Sequence, residues 1–482
     1  MSGTEEHGSE NMLRLEPLPP LQYREVYDHH GPFSHIVYDP ALVDAVLCAV
    51  GLQGEGGVDA DRLSAGQGAC ESLEEVLERE AQSAVFVESI SCALFKVAER
   101  GLVGAAEVLL RHGADPNFED PVSYYNPLHI AVLRNRPLMV GMLVQHGADI
   151  DKRDRIFESS PLDLACEDAD RLPCLRTLLA LGADVNAHDK NGKPALIHAL
   201  FSSDGTGVAV TPKYGNTENI RLLLEGGASV HVRTIDEETV MLALVAFVEI
   251  VLHWEGEEDE EDEEDEEEKE DAEQIGQFCL RVTELFLDHG EEQEDGEETH
   301  PSRHPSLTQT CLEHFDRLFP LALLLLQKGV ALQCSLHGAT CWSWRQLLLG
   351  RLEAALQESA SAEETTDLLP RAETLLELAE VCCPSHTHTS ASPLQSPHTR
   401  PQAPPHAAVL ELRARLLEQE TRPPPLRLLC RRLVRHILLP GPLGPKVQQL
   451  PLPDRLKDFL LPESSVQCRP GWDRFRPIHG PR

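Results

Sequence analysis

The chain has 482 residues, 41% of them hydrophobic, which is enough to fill the cores of two or three domains. Acidic residues number 80 against 42 lysines and arginines, and the formal net charge of −38 disfavours nucleic acid and anionic membranes as general partners. The N-terminal residues show no secretion signal, no apolar run approaches the ~20 residues that span a bilayer, and the 13 cysteines are scattered. We therefore expect a cytoplasmic protein with reduced thiols.

Residues 1–85 form a first region that we expect to be partly helical and partly disordered. Its one amphipathic segment, residues 41–52, predicts a helix. The other residues of this region carry no motif, and no role can be assigned to them from the sequence.

A seven-residue phrase then recurs: an apolar pair rich in leucine, two further residues, and Gly-Ala-Asp or a reduced form of it. Its glycines are Gly113, Gly147, Gly182, Gly227, Gly290 and Gly329. The first two intervals between them are 34 and 35 residues. Glycine accepts the left-handed backbone conformation at a helix C-terminus without the penalty of a Cβ atom, so each copy predicts the end of a helix.

A second motif lies between these phrases and predicts the start of a helix. It reads Asn-Pro-Leu-His-Ile-Ala at 126–131, Ser-Pro-Leu-Asp-Leu-Ala at 160–165 and Pro-Ala-Leu-Ile-His-Ala at 194–199. Asn126 and Ser160 can cap a helix whose first position takes the proline, since the N–H at that position would be unpaired anyway. Both motifs resemble those of ankyrin repeats, whose period is ~33 residues. The resemblance implies an all-α ankyrin-repeat solenoid of about six helix-turn-helix repeats over residues 86–345. The alternative, an ordinary helical bundle, would need near-periodic copies of both motifs to arise by chance.

Two segments depart from the repeat pattern. Residues 255–273 include 16 acidic residues and one lysine, and like charges at this density repel one another, so we expect a disordered, solvated insertion. An alternative is that this run attracts a basic segment of a partner. Residues 346–420 predict connecting helices and a linker rich in Pro, His, Ser and Thr.

The first of two C-terminal motifs occupies residues 424–435. It opens with prolines that can start a helix. The apolar positions that share one face of this helix are Leu426, Leu429, Cys430 and Val434. The arginines of the segment lie away from that face, and such an amphipathic helix suits insertion into a hydrophobic groove. The alternative is a closing helix that docks onto the repeats of its own chain.

The second C-terminal motif is Leu450-Pro451-Leu452-Pro453. Its alternating prolines favour an extended segment, after which Asp454 opens a last helix. Residues 462–482 are expected to form a flexible tail.

The two motifs, in this order and spacing, resemble the halves of a SOCS box, a small three-helix domain, here at residues 421–461. Together with the repeats they resemble the ankyrin repeat and SOCS box family, and residues 118–122, 154–156 and 334–338 narrow that resemblance to one branch of it. The resemblance implies a non-catalytic substrate adaptor of a ubiquitin ligase. The repeats would hold an unidentified target protein for ubiquitination and proteasomal degradation.

The resemblance also implies the partners of each motif. Leu426 would be the anchor in a pocket of elongin C, which is bound to elongin B, with Leu429, Cys430 and Val434 beside it. Leu450, Pro451, Leu452 and Pro453 would select cullin-five with its RING subunit. One departure is Val434, where the family usually has isoleucine.

Two other functions remain open from the residues alone. A plain ankyrin scaffold that tethers signalling partners would share every feature up to about residue 420. An enzyme would depend on Ser160, His129 and Asp163, which lie inside repeat motifs, or on a zinc site. The candidate zinc ligands are Cys382, Cys383, His386 and His388, whose spacing departs from paired Cys-x-x-Cys sites. We predict no catalytic residue, no metal and no cofactor.

Overall fold

A computed structural model describes most of the chain outside its two ends. The described residues are 38–52, 72–200, 216–232, 234–235, 239–253, 264–290, 306–330, 344–358, 362–382, 406–421, 425–438 and 443–461. Within these ranges the chain is all-α, with twenty α-helices, one short 3-10 turn and a single isolated bridge between His188 and Pro194. No helix in the described ranges has the length and hydropathy needed to cross a membrane.

The helices follow one another in chain order. They are α1 (Pro40–Ala49), α2 (Leu73–Glu80), α3 (Phe86–Arg100), α4 (Val103–Arg111), α5 (Pro127–Leu133), α6 (Pro137–Gln145), α7 (Pro161–Cys166), α8 (Leu172–Leu181), α9 (Ala195–Leu200), α10 (Asn216–Glu225), α11 (Val240–His253), α12 (Glu264–Asp288), α13 (Leu307–Glu313), α14 (Phe315–Lys328), α15 (Trp344–Glu358), α16 (Ala362–Cys382), α17 (Ala407–Thr421), α18 (Leu426–Leu438), α19 (Leu443–Gln449) and α20 (Asp454–Leu460). Contacts divide the chain into two compact units, of which unit 1 is Met1–Ser229 with Thr234–Asp236 and unit 2 is Val230–Arg233 with Glu237–Arg482.

Unit 1 is a solenoid of paired helices. Helices α3, α5, α7 and α9 contact one another in sequence and form one row, while α4, α6, α8 and α10 form a second row. The core between the rows is apolar, and Leu128, Ala131, Leu162 and Ala165 are completely buried in it. Because each short helix buries its apolar side against its neighbours in the stack, the repeats stabilise one another rather than folding singly.

The second motif starts the first helix of a repeat as predicted. The Asn126 side chain accepts a hydrogen bond from the His129 N–H at 2.8 Å, and Ser160 does the same for Asp163 at 3.1 Å. Both caps are reciprocal, since the His129 and Asp163 side chains accept from the N–H of the capping residue. Pro127 and Pro161 occupy the first helical position.

The glycine phrases end helices as predicted. Gly182 follows α8 with a φ of +90°, a left-handed conformation that accommodates the turn out of the helix. The other glycines of the phrase, Gly113, Gly147, Gly227, Gly290 and Gly329, also have positive φ. The six predicted helix ends are therefore confirmed, including the two weaker ones in unit 2.

Unit 2 repeats the two-row arrangement. Helices α11, α13, α15 and α17 form one row, and α12, α14, α16 and α18 form the other. The α15–α16 pair, which we expected to be connecting helices, thus packs as a further repeat-like pair. The acidic run 255–273 was expected to be a disordered insertion, but α12 begins at Glu264, so the second half of the run is helical. Glutamate is a good helix former, and negative charge is favourable near a helix N-terminus.

Candidate functional site

Helix α18 carries an exposed apolar stripe at the end of the unit 2 stack. The stripe consists of Leu426, Leu429, Cys430, Leu433 and Ile437. Leu426 is 76% exposed and Ile437 is 70% exposed, which is unusual for large apolar side chains on an ordered helix. The spacing of these residues follows the helical period, so they lie along one side of α18. A continuous apolar stripe left in water favours a partner that covers it.

The opposite side of α18 is buried against the two following helices. Arg435 is only 2% exposed, and the Arg431 guanidinium donates a hydrogen bond to the Leu461 carbonyl at 2.9 Å. The Phe459 ring of α20 lies against two arginines, with centroid distances of 4.3 Å to Arg427 and 5.0 Å to Arg431. These cation–π contacts hold α20 against α18.

A small apolar cluster forms the centre of this three-helix domain. Val447 of α19 and Leu460 of α20 are buried, and half-buried apolar side chains pack around them. Those side chains are Val434, Leu438, Leu450, Leu452 and Leu461. Val434 thus lies at the inner edge of α18, whereas Leu426, Leu429 and Cys430 lie on the exposed stripe.

The Leu-Pro-Leu-Pro segment connects α19 to α20. Its leucines, Leu450 and Leu452, are half-buried in the central cluster, and its prolines, Pro451 and Pro453, are exposed. The Leu452 N–H donates to the Leu450 carbonyl at 2.8 Å, which bends the segment, and Pro453 precedes α20 in an extended conformation. The segment therefore presents two rigid prolines outward from a packed base.

The domain is also attached to the repeat-like pair that precedes it. Helix α18 packs on α16, and the Arg432 side chain donates to the Glu380 carbonyl at 2.6 Å. Because α18 takes the next position in the row of α12, α14 and α16, the exposed stripe is held by the stack itself.

Two members of the stripe, Leu433 and Ile437, were not among the predicted site residues. They lie seven and eleven positions after Leu426 and continue the same helical period. That spacing could have identified them. Arg431 and Arg435 were expected to lie away from the stripe, as they do, but their burial depends on contacts that the helix sequence alone does not contain.

The residues that resemble a hydrolase triad serve the repeat structure. The Ser160 hydroxyl donates to the Asp163 carboxylate at 2.9 Å. The Nδ1 atom of His129 accepts from the Asn126 N–H at 3.3 Å, so Nε2 is left to donate to the Ser159 carbonyl of the next repeat, also at 3.3 Å. Burial lowers the pKa of His129 to about 4, so this ring is neutral.

A partly buried ionic cluster surrounds His198 in α9. Its Nδ1 lies 3.4 Å from the Glu167 carboxylate and its Nε2 lies 3.5 Å from the Asp189 carboxylate. Burial alone would lower the pKa of His198, but Asp189, Glu167 and the nearby Asp163 raise it to about 10. The ring is therefore charged, and it holds the second and third predicted repeats together electrostatically.

The described residues contain no group of His, Cys, Asp and Glu side chains arranged to hold a metal ion. Of the candidate zinc ligands, Cys383, His386, His388 and the side chain of Cys382 lie outside the described residues. So do residues 334–338 and the first part of the acidic run.

Comparison with known proteins identifies both parts of the chain. Residues 422–461 match a SOCS box family model, residues 63–154 match a model of three ankyrin repeats, and residues 158–190 match an ankyrin repeat. The chain is similar to "Ankyrin repeat and SOCS box protein 6" of Homo sapiens and of Pongo abelii. Each is 46% identical over 444 residues, covering 90% of this chain and 97% of the relative. The Mus musculus protein of the same name is 46% identical over 439 residues, with the same coverage.

Proposed function

Because this chain belongs to the ankyrin repeat and SOCS box family, we propose that it is a substrate-recognition subunit of a ubiquitin ligase. The SOCS box, formed by α18, α19 and α20, binds elongin C and a cullin, and the repeats bind the target protein. The polypeptide contributes proximity: it brings the target near a charged ubiquitin-conjugating enzyme, and the chemistry belongs to that enzyme.

The observation that carries this proposal is the exposed stripe on α18. Leu426 is the most exposed apolar residue of the stripe and stands at the first position of the helix, where it can enter a pocket before the rest of the helix docks. Leu429 and Cys430 follow one turn later and extend the contact. Val434 acts from within the box, where it supports the shape of α18.

The Leu-Pro-Leu-Pro segment supports the second half of the proposal. Pro451 and Pro453 are exposed on a segment whose leucines are anchored in the box core. Because the segment is already fixed, it loses little conformational entropy when a cullin binds. The resemblance of this segment to cullin-five boxes leads us to propose cullin-five with its RING subunit as the partner.

Binding of purified elongin B–C to the full-length chain tests the proposal. Leu426→Ala removes an anchor whose burial is worth about 2–4 kcal/mol at a hot spot, so we expect the dissociation constant to rise by about 30-fold or more in calorimetry. Leu417→Ala is the matched control, because Leu417 is also an exposed leucine of unit 2 but lies on α17. The control should bind like the unchanged protein.

Two results would contradict the proposal. The unchanged chain could fail to bind elongin B–C at micromolar concentration, or both leucine variants could bind equally well. A plain ankyrin scaffold predicts the first result, and it further predicts that deleting residues 424–461 alters no partner's abundance in cells.

A further inference from the structure

Unit 1 exposes a row of apolar side chains at the tips of its inter-repeat loops. Four side chains form this row, which we call the tip ridge: Val122, Ile156, Phe157 and Ile235. Ile235 is 71% exposed and Phe157 is 40% exposed. Among the described residues of unit 1, the other exposed large apolar side chains are Val87, Leu138 and Leu181. The loop tips therefore carry four of the seven exposed large apolar side chains among the described residues of unit 1.

The loops of the tip ridge are built on one repeated device. In each of three loops a buried aspartate accepts backbone N–H groups: Asp120 from Ser123 at 2.8 Å, Asp154 from Ile156 at 2.7 Å, and Asp189 from Asn191 at 2.8 Å. Each bond folds the chain into a tight turn and lifts the tip residues into solvent.

The turns also hold residues in a strained conformation. Tyr124 and Glu158, each four residues after the turn aspartate, have φ values of +58° and +56°, in the left-handed region that residues other than glycine rarely adopt. In the third loop Gly192, three residues after Asp189, has a φ of +76°. Strain of this kind persists only where surrounding contacts impose it, and it is concentrated at binding sites. The tips are therefore fixed before any partner arrives.

Contacts between neighbouring loops join the tips into one surface. Lys152 and Arg155 of the second loop both pair with Glu119 of the first loop. Lys190 of the third loop lies 4.6 Å from the centre of the Phe157 ring and donates to the Ile156 carbonyl. The Ile235 N–H donates to the Asn191 carbonyl at 3.1 Å, which attaches the fourth loop to the third.

Charge around the ridge indicates the chemistry of its partner. Lys190 lies against Ile156 and Phe157, and Lys152 and Arg155 belong to the same loop as these two residues, in a chain whose net charge is −38. Among the described residues Lys190 has no carboxylate partner, and Lys152 and Arg155 share the single carboxylate of Glu119.

The described acids of the ridge loops leave Lys190 without a carboxylate partner, and Asp236, Glu237 and Glu238, which follow Ile235, lie outside the described residues. The Asp154 and Asp189 carboxylates are directed into their own turns. Glu158 is the exposed acid of the second tip. An incoming carboxylate would therefore meet the Lys190 ammonium, which has no carboxylate partner among the described residues, and the largely exposed Arg155 guanidinium, beside an apolar surface.

We propose that the tip ridge binds an extended peptide segment that combines large apolar side chains with aspartate or glutamate. This inference rests on the proposed function, in which that segment belongs to the target protein. The apolar side chains cover Phe157, Ile156 and Ile235, while the carboxylates pair with Lys190 and Arg155. A second copy docking through its own ridge would oppose like charges, so a self-associated ridge is disfavoured.

A peptide selection with matched variants tests the inference. Random dodecapeptides displayed on phage are selected on the full-length chain, and enriched peptides are synthesised and measured by fluorescence anisotropy. We expect the enriched peptides to be net acidic and to carry at least two large apolar residues. Phe157→Ser and Lys190→Glu should each weaken their binding by about tenfold or more, and added salt should weaken it further.

The controls use exposed residues of unit 1 that lie off the ridge. Leu138→Ser matches Phe157→Ser, since Leu138 is 79% exposed on α6, and Arg176→Glu matches Lys190→Glu. Both controls should keep the affinity of the unchanged chain. The inference is overturned if no peptide is enriched, if the enriched peptides are not acidic, or if ridge and control variants bind alike.

The same variants separate this inference from the proposed function. Ridge variants should bind elongin B–C normally, because their changes lie in unit 1. If the ridge variants bind elongin B–C normally and also bind the enriched peptides as tightly as the unchanged chain does, only the inference about the tip ridge is overturned. Failure of the unchanged chain to bind elongin B–C overturns the adaptor function, while peptide binding at the ridge would stand.

Discussion

Replacing His198 with glutamine should destabilise unit 1 in a pH-dependent way. The charged ring lies between the carboxylates of Glu167 and Asp189, at 3.4 and 3.5 Å. Without the ring, the buried Asp189 carboxylate keeps only its hydrogen bonds within its own turn, from Asn191 and Lys193, and a buried polar group that loses a partner costs about 1–3 kcal/mol. For a domain of this size, the upper end of that range, a loss of about 3 kcal/mol, corresponds to a fall in melting temperature of roughly 6–12 °C.

The sign of the pH dependence follows from the two pKa shifts. The pKa of His198 is raised from 6.5 to about 10. Its contribution to the free energy of unfolding is therefore complete below about pH 6.5 and is lost as the pH rises through 10. The pKa of Asp189 is lowered from 3.8 to about 2, so its contribution is complete above about pH 4 and is lost as the pH falls towards 2. The penalty of His198→Gln should therefore be greatest between about pH 4 and 6.5 and should shrink towards pH 10.

Urea unfolding followed by far-ultraviolet circular dichroism measures this difference at about pH 6 and pH 9.5. His188→Gln is the control, since His188 is an exposed histidine ten residues earlier. The reasoning is refuted if His198→Gln and the unchanged chain lose stability in parallel between those two pH values.

Three further substitutions, one of them paired with a comparison variant, test the SOCS box and the repeats. Phe459→Ala removes the ring that joins α20 to Arg427 and Arg431, so calorimetry should show cullin binding weakened by about tenfold with elongin B–C binding retained; equal loss of both would contradict this. Gly182→Ala places a Cβ atom at a φ of +90° and should cost about 1–2 kcal/mol in urea unfolding, whereas Gly141→Ala, inside α6 with open space around it, should stabilise by about 0.5–1 kcal/mol. Leu128→Ala should cost about 2–5 kcal/mol in the same assay because Leu128 is completely buried, and a loss below 1 kcal/mol would argue against the assigned core.

Helix starts and ends in the repeats could be predicted because their signals are local. An asparagine or serine followed by proline satisfies the first N–H groups of a helix, and a glycine ends it, whatever the neighbouring repeats do. The α15–α16 pair has no glycine phrase, so its packing as part of the stack could not be read from the sequence. The helical half of the acidic run could not be predicted from its composition, because charge repulsion and the helix propensity of glutamate favour opposite outcomes.

The candidate site was predictable in part. The period of α18 identified Leu426, Leu429 and Cys430, and it extends to Leu433 and Ile437. It could not show that Val434 faces the box core, because a valine suits either side of the helix. The placement of Val434 depends on Val447 and Leu460, which belong to other helices.

The central claim is that α18 enters a partner through its exposed stripe, and Cys430 provides a direct probe of it. Its thiol lies on the stripe and is exposed, whereas Cys279 and Cys311 of the same unit are buried. Alkylation of Cys430 by iodoacetamide, followed by mass spectrometry, should be rapid in the free chain and strongly suppressed by saturating elongin B–C. An unchanged alkylation rate in the presence of bound elongin B–C would contradict the claim.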